Sequence, residues 1–411
     1  MNTSRRGFFR LLGGGLLYAS SYPILAQANL SGAKPIRIAQ ILDKTGGLNI
    51  YSLKQAQAAA MAVHEINEAG GLLGRPVEIL FYDAQSTNRL YSQYATQAFV
   101  REKVSVIQGG VTSSAREVVR PIVQRYKGLY FYNAIYEGGV CDSRHVSTGM
   151  VPAQQIEPLV QYMLNERNAK THYILAADYN FGHITSKWIQ KYLRDYGGQD
   201  LAVEFFPLDT TNFAPAISRL QEKKPDAVWS ALVGDAHMSF YRQFESSIGK
   251  KNMSLIGTVY GAGRENVMLS AQENQGIITG ASFIDSLDSA QDFVKRFHEF
   301  TGETDYIGEY GEYGYRGVML WAEAVKKAGS ENPDDVIAHL NNTSFNGAGG
   351  LYTLDGQTNH TKMNIHIAEG NLDGGFDILK SFEQREPTDV QMVCDLNTNP
   401  DDTRQYEPEI K

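Results

Sequence analysis

Ile36-Arg37-Ile38-Ala39-Gln40-Ile41-Leu42, a helical pattern over residues 55–68, and Val77-Glu78-Ile79-Leu80-Phe81-Tyr82-Asp83 together decide the fold. The outer runs are short, apolar and bounded by turn residues, as buried strands are. Between them Ala56, Ala59, Ala60, Val63 and Ile66 recur at helical spacing. Gly70-Gly71 stops that helix and Gly74-Arg75-Pro76 turns the chain. Two buried strands separated by a helix form a parallel pair with the helix packed across it.

The rhythm continues outward. Helical patterns over 89–102 and 113–125 alternate with strands over 104–108 and 129–133. It restarts after Pro152, with helices over 154–167, 184–196, 214–223 and 236–248. Strands over 171–177, 201–206, 227–232 and 254–259 lie between them. Two such sets predict an α/β protein of two doubly wound, parallel-sheet lobes. The last third is less regular: a strand over 277–283, helices over 290–301 and 314–328, and two short strands near Leu351 and Met363. From Glu386 the chain is polar and reads as an irregular strap.

The first 28 residues read as an export signal. Ser4-Arg5-Arg6-Gly7-Phe8-Phe9-Arg10 precedes an uncharged apolar run over 11–25, and Ala26-Gln27-Ala28 offers a small-x-small cleavage site. Paired arginines before an apolar residue predict the twin-arginine route, cleavage after Ala28 and a periplasmic destination. An ordinary export signal and an uncleaved anchor are the alternatives, although the run is short of the roughly 20 apolar residues a span needs. The chain of 411 residues is 42% hydrophobic and carries a net charge of −8. No basic run follows the signal, which argues against a nucleic-acid partner. In an exported protein Cys141 and Cys394 are a candidate disulfide, with buried free thiols or a metal site as alternatives.

No enzyme signature is present: the glycine pairs fit neither dinucleotide nor phosphate loops, no serine sits in G-x-S-x-G, and His183 and His237 lack metal spacing. No catalytic residue, cofactor or metal is expected. An exported hydrolase assembled from distant residues stays open. The features left are loops at the carboxyl ends of strands, where open α/β sheets bind ligands. They cover 43–52, Gly110-Val111-Thr112-Ser113-Ser114, Tyr132-Asn133-Ala134-Ile135-Tyr136-Glu137, Asp178-Tyr179-Asn180-Phe181 and Val233-Gly234-Asp235. The second opens a helix, whose free N–H groups suit a carboxylate or carbonyl oxygen. Tyr306, Tyr310, Tyr313 and Tyr315 read as packing near a helix start.

Glu65-Ile66-Asn67-Glu68-Ala69-Gly70-Gly71-Leu72-Leu73-Gly74-Arg75-Pro76 resembles the first helix-turn of type 1 periplasmic binding proteins, the leucine/isoleucine/valine-binding class of ABC-transporter receptors. Residues 315–328 are similar to their helix before the last hinge. Phe131 to Gly138, Pro152-Ala153-Gln154-Gln155, Asp178-Tyr179, Pro207-Leu208 and Gly234-Asp235 resemble the urea- and short-chain-amide-binding branch. The resemblance implies three crossovers between the lobes and closure over a small ligand. It implies a first lobe of 36–149 plus 278–358, a second of 150–277 plus 359–390, and a tail from 391 to 411. By position, Val111, Thr112, Ser113, Tyr132 and Ala134 would line one side. Tyr179, Phe181, Val233 and Asp235 would close from the other, with Tyr260 beside them. Ala134 and Phe181 stand where the amide receptor carries hydroxyl side chains, and residues 261–265 lack that branch's acidic pair. The partners implied are a small-molecule ligand, an inner-membrane ABC permease and the twin-arginine machinery, for a monomer or weak dimer. A short amide or urea-like ligand is expected. A branched-chain or other amino acid, a quaternary ammonium held by Tyr132, Tyr179, Phe181, Tyr260 and Asp235, or an amide-sensing regulator are the alternatives.

Overall fold

The computed structural model describes residues 32–410, so the export signal and the Ala28 cleavage site lie outside the described residues. The first sheet is parallel. β1 (Ile36–Leu42) lies between β2 (Val77–Asp83) and β3 (Val106–Gly109), and β4 (Tyr130–Tyr132) and β5 (His145–Ser147) follow on the β3 side. Its helices are α1 (Asn49–Glu68), α2 (Asn88–Gln97) and α3 (Ser113–Arg125). The second lobe begins with α4 (Pro152–Asn165), β6 (Thr171–Ala177), α5 (Asn180–Asp195), β7 (Gln199–Phe206), α6 (Ala214–Lys223) and β8 (Ala227–Ala231). It continues through α7 (Asp235–Ser247), β9 (Ser254–Gly257), α8 (Glu265–Met268), α9 (Ala271–Asn274) and β10 (Ile277–Ala281). The parallel order there is β10-β9-β8-β6-β7. The fold is α/β with two doubly wound lobes, as the alternation predicts.

The last third adds α10 (Gln291–Thr301), α11 (Glu309–Ala328), α12 (Pro333–Ile337), β11 (Ser344–Gly347), β12 (Gly350–Asp355), β13 (His360–Gly370), β14 (Phe376–Arg385) and α13 (Thr388–Gln391). β13 starts in the first sheet, where His360 pairs with Ser147, and ends in the second, where residues 366–369 pair antiparallel with β10. One crossover is therefore a continuous strand. The others leave β5 for α4 and β10 for α10.

Several elements differ from the sequence reading, each for a tertiary reason. The strand near residue 278, assigned by resemblance to the first lobe, pairs with β9 and β13 and belongs to the second sheet. β5 has three residues and lies beyond local pattern detection. β13 runs for 11 residues where a short strand near Met363 was expected, and it forms a hairpin with the 10-residue β14, which local pattern does not mark because half of its residues are exposed. α11 begins five residues before 314, its start masked by Gly311, Gly314 and Gly317. Those glycines let α11 approach closely: a Cβ on Gly314 would lie 2.2 Å from the Gln55 carbonyl oxygen. Likewise Gly182 hides the start of α5, and its Cβ would lie 2.0 Å from the Ala177 oxygen. The expected loop over 43–52 gives way to α1 at Asn49.

Cys141 and Cys394 are joined in a disulfide with Cα atoms 5.4 Å apart, so neither is a free thiol or a metal ligand. Buried Arg316 on α11 meets all the crossovers: it donates to the Thr148 carbonyl at 2.9 Å, Ser282 Oγ at 3.1 Å and Met363 Sδ at 3.5 Å. Its charge is offset by Glu312, 2.5 Å away.

Candidate functional site

Gly109 and Gly110 turn the chain out of β3 with φ of +103° and +89°. A Cβ on Gly110 would lie 2.4 Å from the Tyr130 hydroxyl and 2.9 Å from the Tyr132 ring, so only glycine fits between strand and tyrosines. The turn delivers Val111 and Thr112 to the start of α3. Thr112 Oγ1 caps the helix by accepting from the Ala115 N–H at 3.2 Å. Ser113 Oγ donates to the Glu137 carboxylate. The Tyr132 hydroxyl donates to the Val111 carbonyl at 3.2 Å. Glu137 is fully buried, its charge held by Arg116 Nη2 at 2.8 Å. The Arg116 guanidinium lies 5.3 Å from the Tyr132 ring centre and 4.6 Å from that of Tyr136. Ala134 is fully buried, its carbonyl pressed on Gly149 at the first crossover.

On the second lobe, Tyr179 precedes α5 and its ring lies 6.0 Å from that of Phe181, tilted by 31°. Val233 is buried. Gly234, with φ of +68°, donates its N–H across the cleft to the Tyr51 hydroxyl at 3.2 Å. Asp235 opens α7 with an exposed side chain, so the residue expected to offer a carboxylate to the cleft sits at its edge. Tyr260 packs within the lobe, 5.8 Å from Tyr241 and 5.4 Å from Phe376, and donates to the Asn274 carbonyl at 3.4 Å.

Rings from both lobes converge. Tyr51 lies 5.1 Å from Tyr310, and the hydroxyls of Tyr51, Tyr132, Tyr179 and Tyr310 are near enough to act on one another electrostatically. Burial pushes all of them above the ordinary tyrosine range, so each stays a neutral hydrogen-bonding group. Of the tyrosines read as packing near a helix start, Tyr310 joins this box. Tyr306 binds the Gly261 carbonyl and Tyr313 the Glu309 carboxylate, as packing groups do.

Beside Tyr51 sits a second buried polar pair. The His237 ring is 6.3 Å from Tyr51, edge-on, and stacks 5.3 Å from Tyr241. Glu265 Oε2 accepts the Gly263 N–H at 2.9 Å, while Oε1 and both His237 ring nitrogens have no hydrogen-bond partner among the described residues. The nearest approach, His237 Nε2 to Glu265 Oε1, is 3.5 Å. Burial lifts the Glu265 carboxyl to about 7 and holds the His237 imidazole neutral, down to about 3. Sequence reading did not single out Tyr51, Arg116, Glu137, His237 or Glu265 as site residues. Two of them had a local signal: Tyr51 lies in the 43–52 loop and Glu137 at the end of the tyrosine-rich loop. No group of His, Cys, Asp or Glu among the described residues could hold a metal ion, and no described helix is long and apolar enough to cross a membrane.

A family model described as a periplasmic binding protein domain matches residues 36–391. A Leu/Ile/Val-binding protein homolog 7 of Brucella melitensis is 23% identical over 328 residues, covering 73% of this chain and 80% of that one. A limonene hydroxylase of Geobacillus stearothermophilus is 28% identical over 115 residues; the match covers 28% of this chain and about a fifth of that protein, 21%. Among solved structures, a solute-binding protein of an ABC transporter from Rhodopseudomonas palustris BisB5, in complex with 3,4-dihydroxybenzoic acid, superposes with a TM-score of 0.74. It shares 22% identity and covers 86% of this chain and 98% of its own.

Proposed function

The chain belongs to the periplasmic binding protein family, and from that premise we propose that it is an exported receptor that captures a small, flat, N–H-bearing solute and presents it to an inner-membrane ABC permease. A short-chain amide or urea-like compound is the first candidate. The observation that carries this reading is the direction of the protons on the cleft floor. Ser113 directs its hydroxyl proton to Glu137, and Tyr132 directs its own to the Val111 carbonyl. Both oxygens are left as acceptors, which an amide NH₂ requires, while the first N–H groups of α3 offer donors for its carbonyl. The flat faces of the tyrosines suit a planar body. Arg116 behind the Tyr132 ring works against a quaternary ammonium there, because like charges repel in a buried site.

A second reading is an amino acid of the leucine type, the ligand class named for the Brucella homologue. The unpartnered Glu265 Oε1 favours it, since a buried carboxylate beside the cleft suits an ammonium. In either reading the protein is a binding protein without catalysis, a monomer or weak dimer, exported by the twin-arginine route and cleaved after Ala28.

The deciding experiment is gentle native mass spectrometry of the mature protein purified from its own cells, with release and identification of what it carries. A stoichiometric amide or urea-like compound supports the first reading and a leucine-type amino acid the second. An aromatic acid, as in the Rhodopseudomonas protein, would overturn both. Turnover of the released compound on re-addition would point instead to a hydrolase.

A further inference from the structure

The C-terminal tail ends at the back of the cleft floor, and its contacts there are specific. Cys394 is bonded to Cys141. Beyond it, Val140 and Gln405 form an antiparallel bridge, Cys141 N–H donates to the Arg404 carbonyl at 2.9 Å, and Tyr406 N–H donates to the Gly139 carbonyl at 2.8 Å. The fit depends on glycine: a Cβ on Gly139, with φ of +82°, would lie 1.9 Å from the Tyr406 oxygen. The seam puts the Gln405 side chain against the buried ion pair. Gln405 Nε2 donates to Glu137 Oε1 at 2.6 Å and to the Gly138 carbonyl at 3.1 Å. Its Oε1 accepts from Arg116 Nη2 at 3.0 Å. With Oε1 of Glu137 occupied by Arg116 and Gln405, Oε2 is the oxygen that takes the Ser113 proton. The backbone of the same residue reaches the other lobe: Trp188 Nε1 on α5 donates to the Glu137 carbonyl at 3.0 Å, and Lys187 beside it pairs with Glu407 of the tail.

We propose that the tail is a working part of the ligand cleft, with Gln405 a positioning residue that fixes Glu137 and thereby the hydroxyl of Ser113 and the docking point of Trp188. The proposal rests on the cleft assignment made above. A buried carboxylate stays in one orientation only when its lone pairs are filled. Without Gln405, Arg116 is the single donor on Oε1, and Ser113 holds Oε2 only while the carboxylate stays turned toward it. Gln405 supplies a second donor on Oε1 and shares the Arg116 nitrogen that would otherwise pull the carboxylate away from Ser113. Identity at position 405 therefore sets whether the cleft floor presents an acceptor or a donor to a solute.

The test is hydrogen–deuterium exchange on the full mature chain and its Gln405→Leu variant, with Glu409→Gln as an exposed control. Losing a buried hydrogen bond should speed exchange of the first turn of α3, of residues 137–140 and of the Trp188 indole on the order of tenfold, with β6 to β9 unchanged. Adding Ser113→Ala to Gln405→Leu should then change α3 exchange no further, an outcome that general loosening would not give. Unchanged exchange at these amides, or full additivity with Ser113→Ala, overturns the proposal. Should Gln405→Leu fail to fold, the isosteric Gln405→Glu carries the same test, since it sets a carboxylate oxygen against Glu137. Acetamide, leucine and 3,4-dihydroxybenzoate serve as binding probes. A probe that binds the parent should bind Gln405→Leu about tenfold more weakly, and equal binding counts against the proposal. Failure of every probe on the parent counts against the assigned ligand classes, while the exchange data still judge the tail.

Discussion

Ser113 and Glu137 show how a single proton sets the character of a binding surface. A serine at a helix start ordinarily offers a donor as readily as an acceptor. Here the buried carboxylate claims the proton, which would leave an acceptor for a solute in the proposed cleft. The tyrosines act more simply, through area and flatness. Tyr179→Ala should weaken binding of the native solute about tenfold or more, as loss of a central aromatic contact does, with little change in Tm; isothermal titration calorimetry with the released ligand measures it. Equal binding would remove Tyr179 from the site. Glu265 gives a pH prediction. Burial raises its carboxyl from 4.5 to about 7, so the native state holds the proton more tightly than the unfolded chain. Its contribution is fully favourable below about pH 4.5 and is lost as pH rises through 7. Glu265→Gln removes that penalty and should stabilise the protein at pH 8 by up to about 3 kcal/mol, with a much smaller effect at pH 4.5. Denaturant titrations at both pH values test this, and an equal effect at the two would mean that Glu265 is not the titrating group.

At the scale of elements, the pairing of α1 with α11 frames the cleft wall, because Tyr51 rises from one helix and Tyr310 from the other. The glycines at 311, 314 and 317 on α11 allow that approach, at the expense of intrinsic helix propensity. Gly314→Ala would gain propensity on an isolated helix, yet here its Cβ meets backbone 2.2 Å away. It should therefore destabilise the protein by about 1–3 kcal/mol, read as a lowered denaturation midpoint. A stabilised variant would mean that α11 can shift outward freely. Arg316 on the same helix joins the crossovers, so Arg316→Met should cost more than an ordinary surface change: it leaves Glu312 buried without its counter-charge. The same variant should alter the open-to-closed equilibrium, seen as a changed radius of gyration without ligand in small-angle scattering.

For the whole molecule, the proposed receptor role would need two lobes that separate and contacts that form when they meet. Tyr51 with Gly234 and Trp188 with Glu137 are such contacts. A solute that touches both lobes adds to them and shifts the population toward closure. The disulfide works on the same scale. It joins residues 253 apart, and the loop-closure model gives up to about 5 kcal/mol for a loop of that length, less any strain. The double variant Cys141→Ser, Cys394→Ser should unfold at a clearly lower temperature in calorimetry, with tail amides exchanging first. An unchanged Tm would assign the tail's attachment to the Val140–Gln405 seam instead.

The sequence by itself determined the lobed α/β architecture, because strand and helix periods are local and glycine, proline and apolar runs mark their ends. The α3 and α6 boundaries at 113–125 and 214–223 follow from such local chemistry alone. It also marked Ser113, Tyr132, Tyr179 and Phe181 as candidates through their place at strand ends. It did not reveal that β10 belongs to the second sheet, since strand partners are chosen by packing across long separations. It also missed the glycine-masked starts of α5 and α11, where close approach outweighs propensity. The polar groups behind the aromatic surface were likewise decided only by tertiary structure. Arg116, Glu137 and Gln405 are more than 250 residues apart at their extremes and carry no shared motif, yet a buried charge must find its partners wherever the fold brings them.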